Sequence, residues 1–352
     1  MSAIAKGGKA LVLGTLAAAF GVGAIAGVVA ERALIGRNLR RTPGANEPYG
    51  SLHSAGIDVV ATDGVKLHAE VDEAFDNQND VTIIFSHGYA LSMDEFHFQR
   101  RDLRHLARMA FFDQRGHGKS EHGTRESHNI WQLGQDLNSV IEKVAPTGNI
   151  VLVGHSMGGM TIQALAKSNP ELFGTRIKAV VLVSTSSGGV TEAPLGLPDT
   201  VGKIIQGIAP GVASVLAGQQ KLVDKSREAG SDLTLLLTRR YSFGSEVPVE
   251  LTEFVAQMHG QTSIDVIGDF LNALADFDSK DFLPVLGRVP TTVVVAREDL
   301  LTPISHSEEI AKLIENAELI EIADTGHMLP LERYVELNEV ITNAVNKVRT
   351  NA

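Results

Sequence analysis

Residues 149–160 read NIVLVGHSMGGM, from Asn149 to Met160. A run of apolar residues, Ile150–Val153, is followed at once by Gly154-His155-Ser156-Met157-Gly158-Gly159, and helical spacing resumes from Met157 to Ser168. A short apolar run suits a strand buried on both faces. The pattern G-x-S-x-G between a strand and a helix predicts a sharp turn with strained backbone angles at the serine. Side chains beside such a turn would strike the neighbouring strand and helix, so the flanking positions must be small. The turn lifts the Ser156 hydroxyl clear of the sheet, over a helix N-terminus whose N–H groups favour negative charge.

Outward from this point the same alternation recurs. Ile57–Ala61 and Val65–Val71 flank Asp63-Gly64, a hairpin signal. Val81–Phe85, Arg108–Phe112, Ala179–Val183, Thr292–Ala296 and Leu319–Ile322 are further short apolar runs. Helical stretches such as Ile130–Val144 separate them. This alternation predicts an α/β fold: a mostly parallel twisted sheet with helices on both faces. About 100 residues after Val183 carry no clear strand, but show helical periodicity at Asp232–Arg240 and Leu251–His259. Insertions of this kind sit over the carboxyl ends of the strands, so residues 188–280 are expected to form a helical lid. The core then comprises residues 57–187 and 281–349.

A serine hydroxyl needs a base to remove its proton, and the base needs an acid to orient it. Among the 12 histidines, His327 follows the last apolar run in Gly326-His327-Met328, which places it at the carboxyl edge of the sheet. Asp299 follows Thr292–Ala296 in the same way and is the expected acid. Glu298 is its local rival, and Asp324 is expected to point elsewhere. The oxyanion of an acyl-transfer intermediate needs two backbone donors. The expected pair is the N–H of Met157 and the N–H of Tyr89, the latter in Ser86-His87-Gly88-Tyr89. The Tyr89 hydroxyl is a candidate lining group of the pocket. His87 is read as a structural residue of that loop. Asp113-Gln114-Arg115-Gly116-His117-Gly118 is read as a turn, with Asp113 and Arg115 bonded to nearby backbone or to each other.

These motifs together make residues 57–349 resemble the α/β-hydrolase superfamily, in its branch of serine esterases and lipases. The carriers are Ser86-His87-Gly88-Tyr89, Asp113–Gly118, Gly154–Gly159, Asp299 with Thr302-Pro303, and Gly326-His327. The resemblance implies a Ser156–Asp299–His327 triad. Relatives that hydrolyse epoxides or haloalkanes carry aspartate at the elbow, which Ser156 argues against. Ala296 stands where relatives often carry glycine. The expected activity is hydrolysis of an ester, with an apolar acyl group, through an acyl-enzyme on Ser156. An acyltransferase using the same triad and a non-catalytic binding protein of this fold are the alternatives.

Bulk composition narrows the remaining classes. The 352 residues contain no cysteine, which excludes disulfides, zinc–thiolate sites and a thiol nucleophile. No H-E-x-x-H or comparable ligand cluster appears, so no metal or cofactor is expected. Residues 1–41 hold six Lys/Arg against Glu31, a net +5, so the rest carries −16 of the total −11. So acidic a body makes a poor nucleic-acid binder. Within the basic segment, residues 10–30 form 21 uncharged residues, long enough to cross a bilayer. They are expected to anchor the chain to a membrane by a single N-terminal span, with the side of the catalytic domain left open. Export after signal cleavage at Ala24-Ile25-Ala26 is the alternative. Residues 42–56 read as a linker.

Overall fold

The computed structural model describes residues 47–75, 80–189 and 234–350. Eight strands form one sheet: β1 (Gly56–Val60), β2 (Lys66–Asp72), β3 (Val81–Ser86), β4 (Arg108–Phe112), β5 (Asn149–His155), β6 (Ile177–Val183), β7 (Thr291–Ala296) and β8 (Glu318–Ile322). Their order is β1-β2-β4-β3-β5-β6-β7-β8. β1 and β2 form the expected hairpin, closed by Ala61 N–H to Val65 O at 2.8 Å, with Gly64 at φ 90°. β2 pairs antiparallel with β4, and every later pairing is parallel. The fold is thus the mostly parallel α/β sheet that the sequence predicts.

The period of two along each strand divides the core. Ile84, Ile150, Leu152, Val180 and Leu182 point to one face, where α2 (Ile130–Val144) and α3 (Met157–Ser168) pack. Ile83, Phe85, Val151, Val153 and Val181 point to the other. There they meet Phe96 and the C-terminal helix. The remaining helices are α1 (His97–Asp102), α4 (Val249–Gln261), α5 (Ile264–Ala275), α6 (Ile304–Leu313), α7 (Leu329–Glu332) and α8 (Tyr334–Thr350). Asn129 caps α2 by accepting the Gln132 N–H at 2.9 Å, which supplies an acceptor for one of the orphan donors of that terminus.

The parallel register brings four loops to one edge. Ser86 lies opposite Gly154, His155 opposite Val183, and Ala296 opposite Ile322. The loops after β3, β5, β7 and β8 therefore leave the sheet side by side. Above that edge the chain is helical at residues 234–242 and in α4 and α5. Residues 187–188 and 278–279 meet, where the Ser279 N–H reaches Ser187 O at 2.9 Å and Gly188 bridges Asp278, while residues 190–233 of the expected lid lie outside the described residues.

The expectation of a membrane-anchored chain is corrected. Among the described residues no helix is long and apolar enough to cross a membrane. A span needs about 20 apolar residues. The longest described helix, α8, has 17 and carries Glu336, Glu339, Lys347 and Arg349. The stretch 10–30 and the signal-cleavage alternative lie outside the described residues, as do residues 42–46 of the expected linker.

Gly134 sets how closely α2 and α3 approach. A Cβ at this position would lie 2.7 Å from both Ala164 C and Leu165 N, so the two backbones would have to separate. Gly134→Val should lower the unfolding free energy by about 1–3 kcal/mol, the usual cost of overpacking. Urea denaturation checks this, and an unchanged midpoint would contradict the packing argument.

Candidate active site

β5 reverses into α3 at a single residue. Ser156 has φ 52° and ψ −120°, in the region that side chains rarely adopt. Its N–H bonds to Val183 O at 2.9 Å, and its carbonyl accepts the Gly159 N–H at 2.9 Å and the Thr185 hydroxyl at 2.7 Å. The glycines around it are sterically required. A Cβ on Gly158 would run into Ser86 O, and one on Gly154 would lie 2.5 Å from Gly158 O.

Three side chains far apart in sequence meet above this turn. His327 Nε2 lies 2.9 Å from Ser156 Oγ, and His327 Nδ1 lies 2.8 Å from Asp299 Oδ2. Asp299 and His327 are both buried. Asp299 also accepts the N–H groups of Leu301 (2.8 Å) and Thr302 (2.9 Å) and the Thr302 hydroxyl (2.7 Å). Burial works against its charge. The neighbouring His327 charge, the hydrogen bond from that ring and the two bonds from Thr302 outweigh burial and hold the carboxyl below the usual range. A fixed carboxylate at Nδ1 keeps the proton there and leaves Nε2 free to accept from the serine. Glu298 is not at this position: its carboxylate accepts the Thr325 N–H at 3.0 Å. Asp324 is exposed, at a turn with φ 54°.

The loop after β3 lies on the other side of the serine. Met157 is the first residue of α3, and Tyr89 follows Gly88 in the loop. Neither amide donates a hydrogen bond to another described residue. The Tyr89 hydroxyl, a candidate lining group in the sequence, has a partner within the protein. It donates to Ile267 O at 2.6 Å and so ties the loop to α5. Burial raises its pKa to about 12. Among the described residues no group of three or more His, Cys, Asp or Glu could hold a metal ion.

A family model described as the alpha/beta hydrolase fold matches residues 81–334. The chain belongs to the α/β-hydrolase family. Among its curated relatives is "AB hydrolase superfamily protein YisY" of Bacillus subtilis, 27% identical over 75% of this chain and 91% of that protein. Another is the "sn-1-specific diacylglycerol lipase ABHD11" of Mus musculus, 25% identical over 74% of this chain and 80% of that one. An esterase from Exiguobacterium antarcticum superposes with a TM-score of 0.66 at 21% identity, covering 83% of this chain and all of the other.

Several residues that shape this α/β-hydrolase site were not singled out in the sequence. Thr302 bonds Asp299, although its position beside Pro303 was noted only as part of a motif. Glu332 accepts the N–H of Gly326 at 2.7 Å and the Thr325 hydroxyl at 3.1 Å, and also the N–H of Gly244. It thereby joins the histidine loop to the insertion. Glu95 and His155 form a further contact of this kind. Arg115 bonds neither to Asp113 nor to local backbone. Its guanidinium is forked onto Asp136 at 2.6 Å and reaches Asp63 at 2.8 Å, because burial demands carboxylates rather than single carbonyls as partners. Asp113 does bond to backbone, accepting the Met93 and Lys119 N–H groups.

Two buried histidines brace the loop that carries Tyr89. His87 donates from Nδ1 to Gly88 O and accepts the Gln114 N–H at Nε2. His117 donates from Nδ1 to Arg115 O at 2.9 Å and accepts the Ala90 N–H at 3.1 Å. Burial, with the nearby histidines, pushes His117 down to about 3. The folded protein thus keeps it neutral while an unfolded chain protonates it near 6.5. Below that pH the unfolded state binds the extra proton, so stability falls as pH drops from about 6.5 towards 3. Glutamine at this position offers the same donor and acceptor without the proton. Between pH 7 and 4 the wild type should therefore lose about 1–3 kcal/mol more than His117→Gln, read from urea unfolding at each pH. Parallel curves would show that His117 is not held neutral.

Proposed function

We propose that this chain is a serine hydrolase that cleaves a carboxylic ester through an acyl-enzyme on Ser156. The observation that carries the reading is the continuous relay from Ser156 Oγ through His327 to Asp299, with contacts of 2.9 and 2.8 Å. His327 takes the hydroxyl proton as Oγ attacks the ester carbonyl. The carbonyl oxygen becomes an oxyanion, held by the N–H groups of Tyr89 and Met157. Each such donor is worth about 3 kcal/mol of transition-state stabilisation. His327 then protonates the alkoxide, and the alcohol leaves. In the second half a water gives a proton to His327 and attacks the acyl carbonyl; the bond from the acyl carbon to Ser156 Oγ then breaks, His327 returns the proton to Oγ, and the carboxylic acid departs. Asp299 stays ionised throughout and stabilises the imidazolium.

The named esterase and lipase relatives are consistent with this chemistry. Residues 190–233 of the expected lid lie outside the described residues, and the reading of the described part, 234–280, as a lid draws on two contacts. Tyr89 reaches α5, and the Met328 N–H donates to Ser242 O at 2.8 Å. Met157, next to Ser156, belongs to an apolar cluster with Met160, Val266 and Phe270, and Met328, next to His327, to another with Leu91 and Met258. They favour a substrate with an apolar acyl group.

Ser156→Ala should keep the fold and lower kcat on a p-nitrophenyl ester by at least about 10³-fold. Asp299→Asn should lower it by about 10⁴-fold, because the ring then adopts the wrong tautomer. Wild-type turnover in Ser156→Ala would defeat the assignment. A panel of esters of increasing acyl length identifies the acyl group, and product analysis with an added alcohol separates transfer to water from transfer to the alcohol.

A further inference from the structure

Beneath the triad lies a second histidine–carboxylate pair. His155, the residue before the nucleophile, and Glu95, in the 3-10 turn before α1, are both wholly buried. His155 Nδ1 is 3.1 Å from Glu95 Oε2. His155 Nε2 is 2.9 Å from the backbone oxygen of His327. A carbonyl can only accept, so Nε2 must carry a proton. The Glu95 carboxylate also takes the Gly88 N–H, 3.2 Å from each of its oxygens. The His155 ring packs against Gly88, where a Cβ would come within 3.1 Å of Nδ1. It also faces the His327 ring, with centroids 4.9 Å apart. One pair of side chains thus bonds to the residue before Tyr89 and to the backbone of the base, while its histidine sits next to the nucleophile.

We propose that Glu95 and His155 are positioning residues, a buried carboxylate–imidazolium pair that fixes the oxyanion loop and the His327 loop relative to Ser156. This rests on the serine-hydrolase reading above. Two charges with no access to water persist only when each is paired and hydrogen-bonded, and here each finds its partner. Burial alone would strip the His155 proton. The Glu95 charge, its hydrogen bond and the His327 carbonyl outweigh that and raise His155 above its ordinary value. The two loops leave different strands, and nothing in their own sequences sets their spacing. Yet Ser156 Oγ must lie within reach of the base and its oxyanion within reach of the Tyr89 N–H. A shift of a few tenths of an ångström in either loop weakens contacts made in the transition state more than contacts made by bound substrate. The pair should therefore act on kcat and hardly on KM.

The test compares Glu95→Ala and Glu95→Gln with the wild type by kcat and KM per titrated active site, with Ser156→Ala, taken per folded chain, as the background. Glu95→Ala removes the acceptor for Gly88 and the partner of His155. It should lower kcat at least tenfold with KM within about threefold. Glu95→Gln keeps an acceptor for the Gly88 N–H and a donor for Nδ1, and should restore kcat to within about fivefold of wild type. Should Glu95→Ala not fold, Glu95→Asp, which withdraws the carboxylate by one methylene, takes its place with the same expectation. In addition, ¹⁵N-histidine NMR of the wild type at pH 7.5 should show an imidazole protonated at both nitrogens, and Glu95→Gln should lose that signal. A truncation or shortening that lowers only the melting temperature, with wild-type kcat in the folded enzyme, overturns the proposal. So does a wild-type spectrum without the doubly protonated ring. If the wild type is no faster than Ser156→Ala, it is the hydrolase reading that fails instead.

Discussion

One steric constraint organises this molecule: β5 has to become α3 at a single residue while lying flat against β3. The Ser156 backbone is held at φ 52°, a conformation that costs of order 1–3 kcal/mol and persists only where its surroundings over-determine it. Here they do. Val183 O, Thr185 and Gly159 fix the serine's backbone atoms, and Gly158 passes so close to Ser86 O that no side chain could be placed there. The strain aims the hydroxyl out of the sheet, and the parallel register delivers the other parts of the site to the same edge.

Much of this was legible in the amino-acid sequence because the relevant forces are local. A parallel strand buried on both faces has to be an apolar run, and the parallel strands were visible as such runs, while the antiparallel β1 and β2 were visible through the hairpin signal between them, all within about two residues at either end. Ile177 was missed as the start of β6 because Lys178, partly exposed, interrupts the run. Ser156, Asp299 and His327 could be placed at one edge because each follows such a run, and the fold permits few loops there.

The illegible parts depend on partners distant in sequence. Glu95 and His155 are 60 residues apart, and neither carries any local mark of the other. The Tyr89 hydroxyl is aimed by an oxygen 178 residues away. Arg115 looked able to satisfy itself within its own turn, but full burial of its guanidinium called for Asp136 on α2 and Asp63 in the hairpin. The length and apolarity of residues 10–30 suggested an anchor; that stretch lies outside the described residues, among which no helix has the character of a span. Composition reports what a segment is able to bury, not what it meets.

The account stands on Ser156 being an activated nucleophile. Intact-mass analysis of the wild type after exposure to a fluorophosphonate, followed by peptide mapping, tests this most directly. The account predicts one phosphonyl group per chain, carried on Ser156. An unmodified chain, or an adduct on any other residue with Ser156 intact, would contradict it.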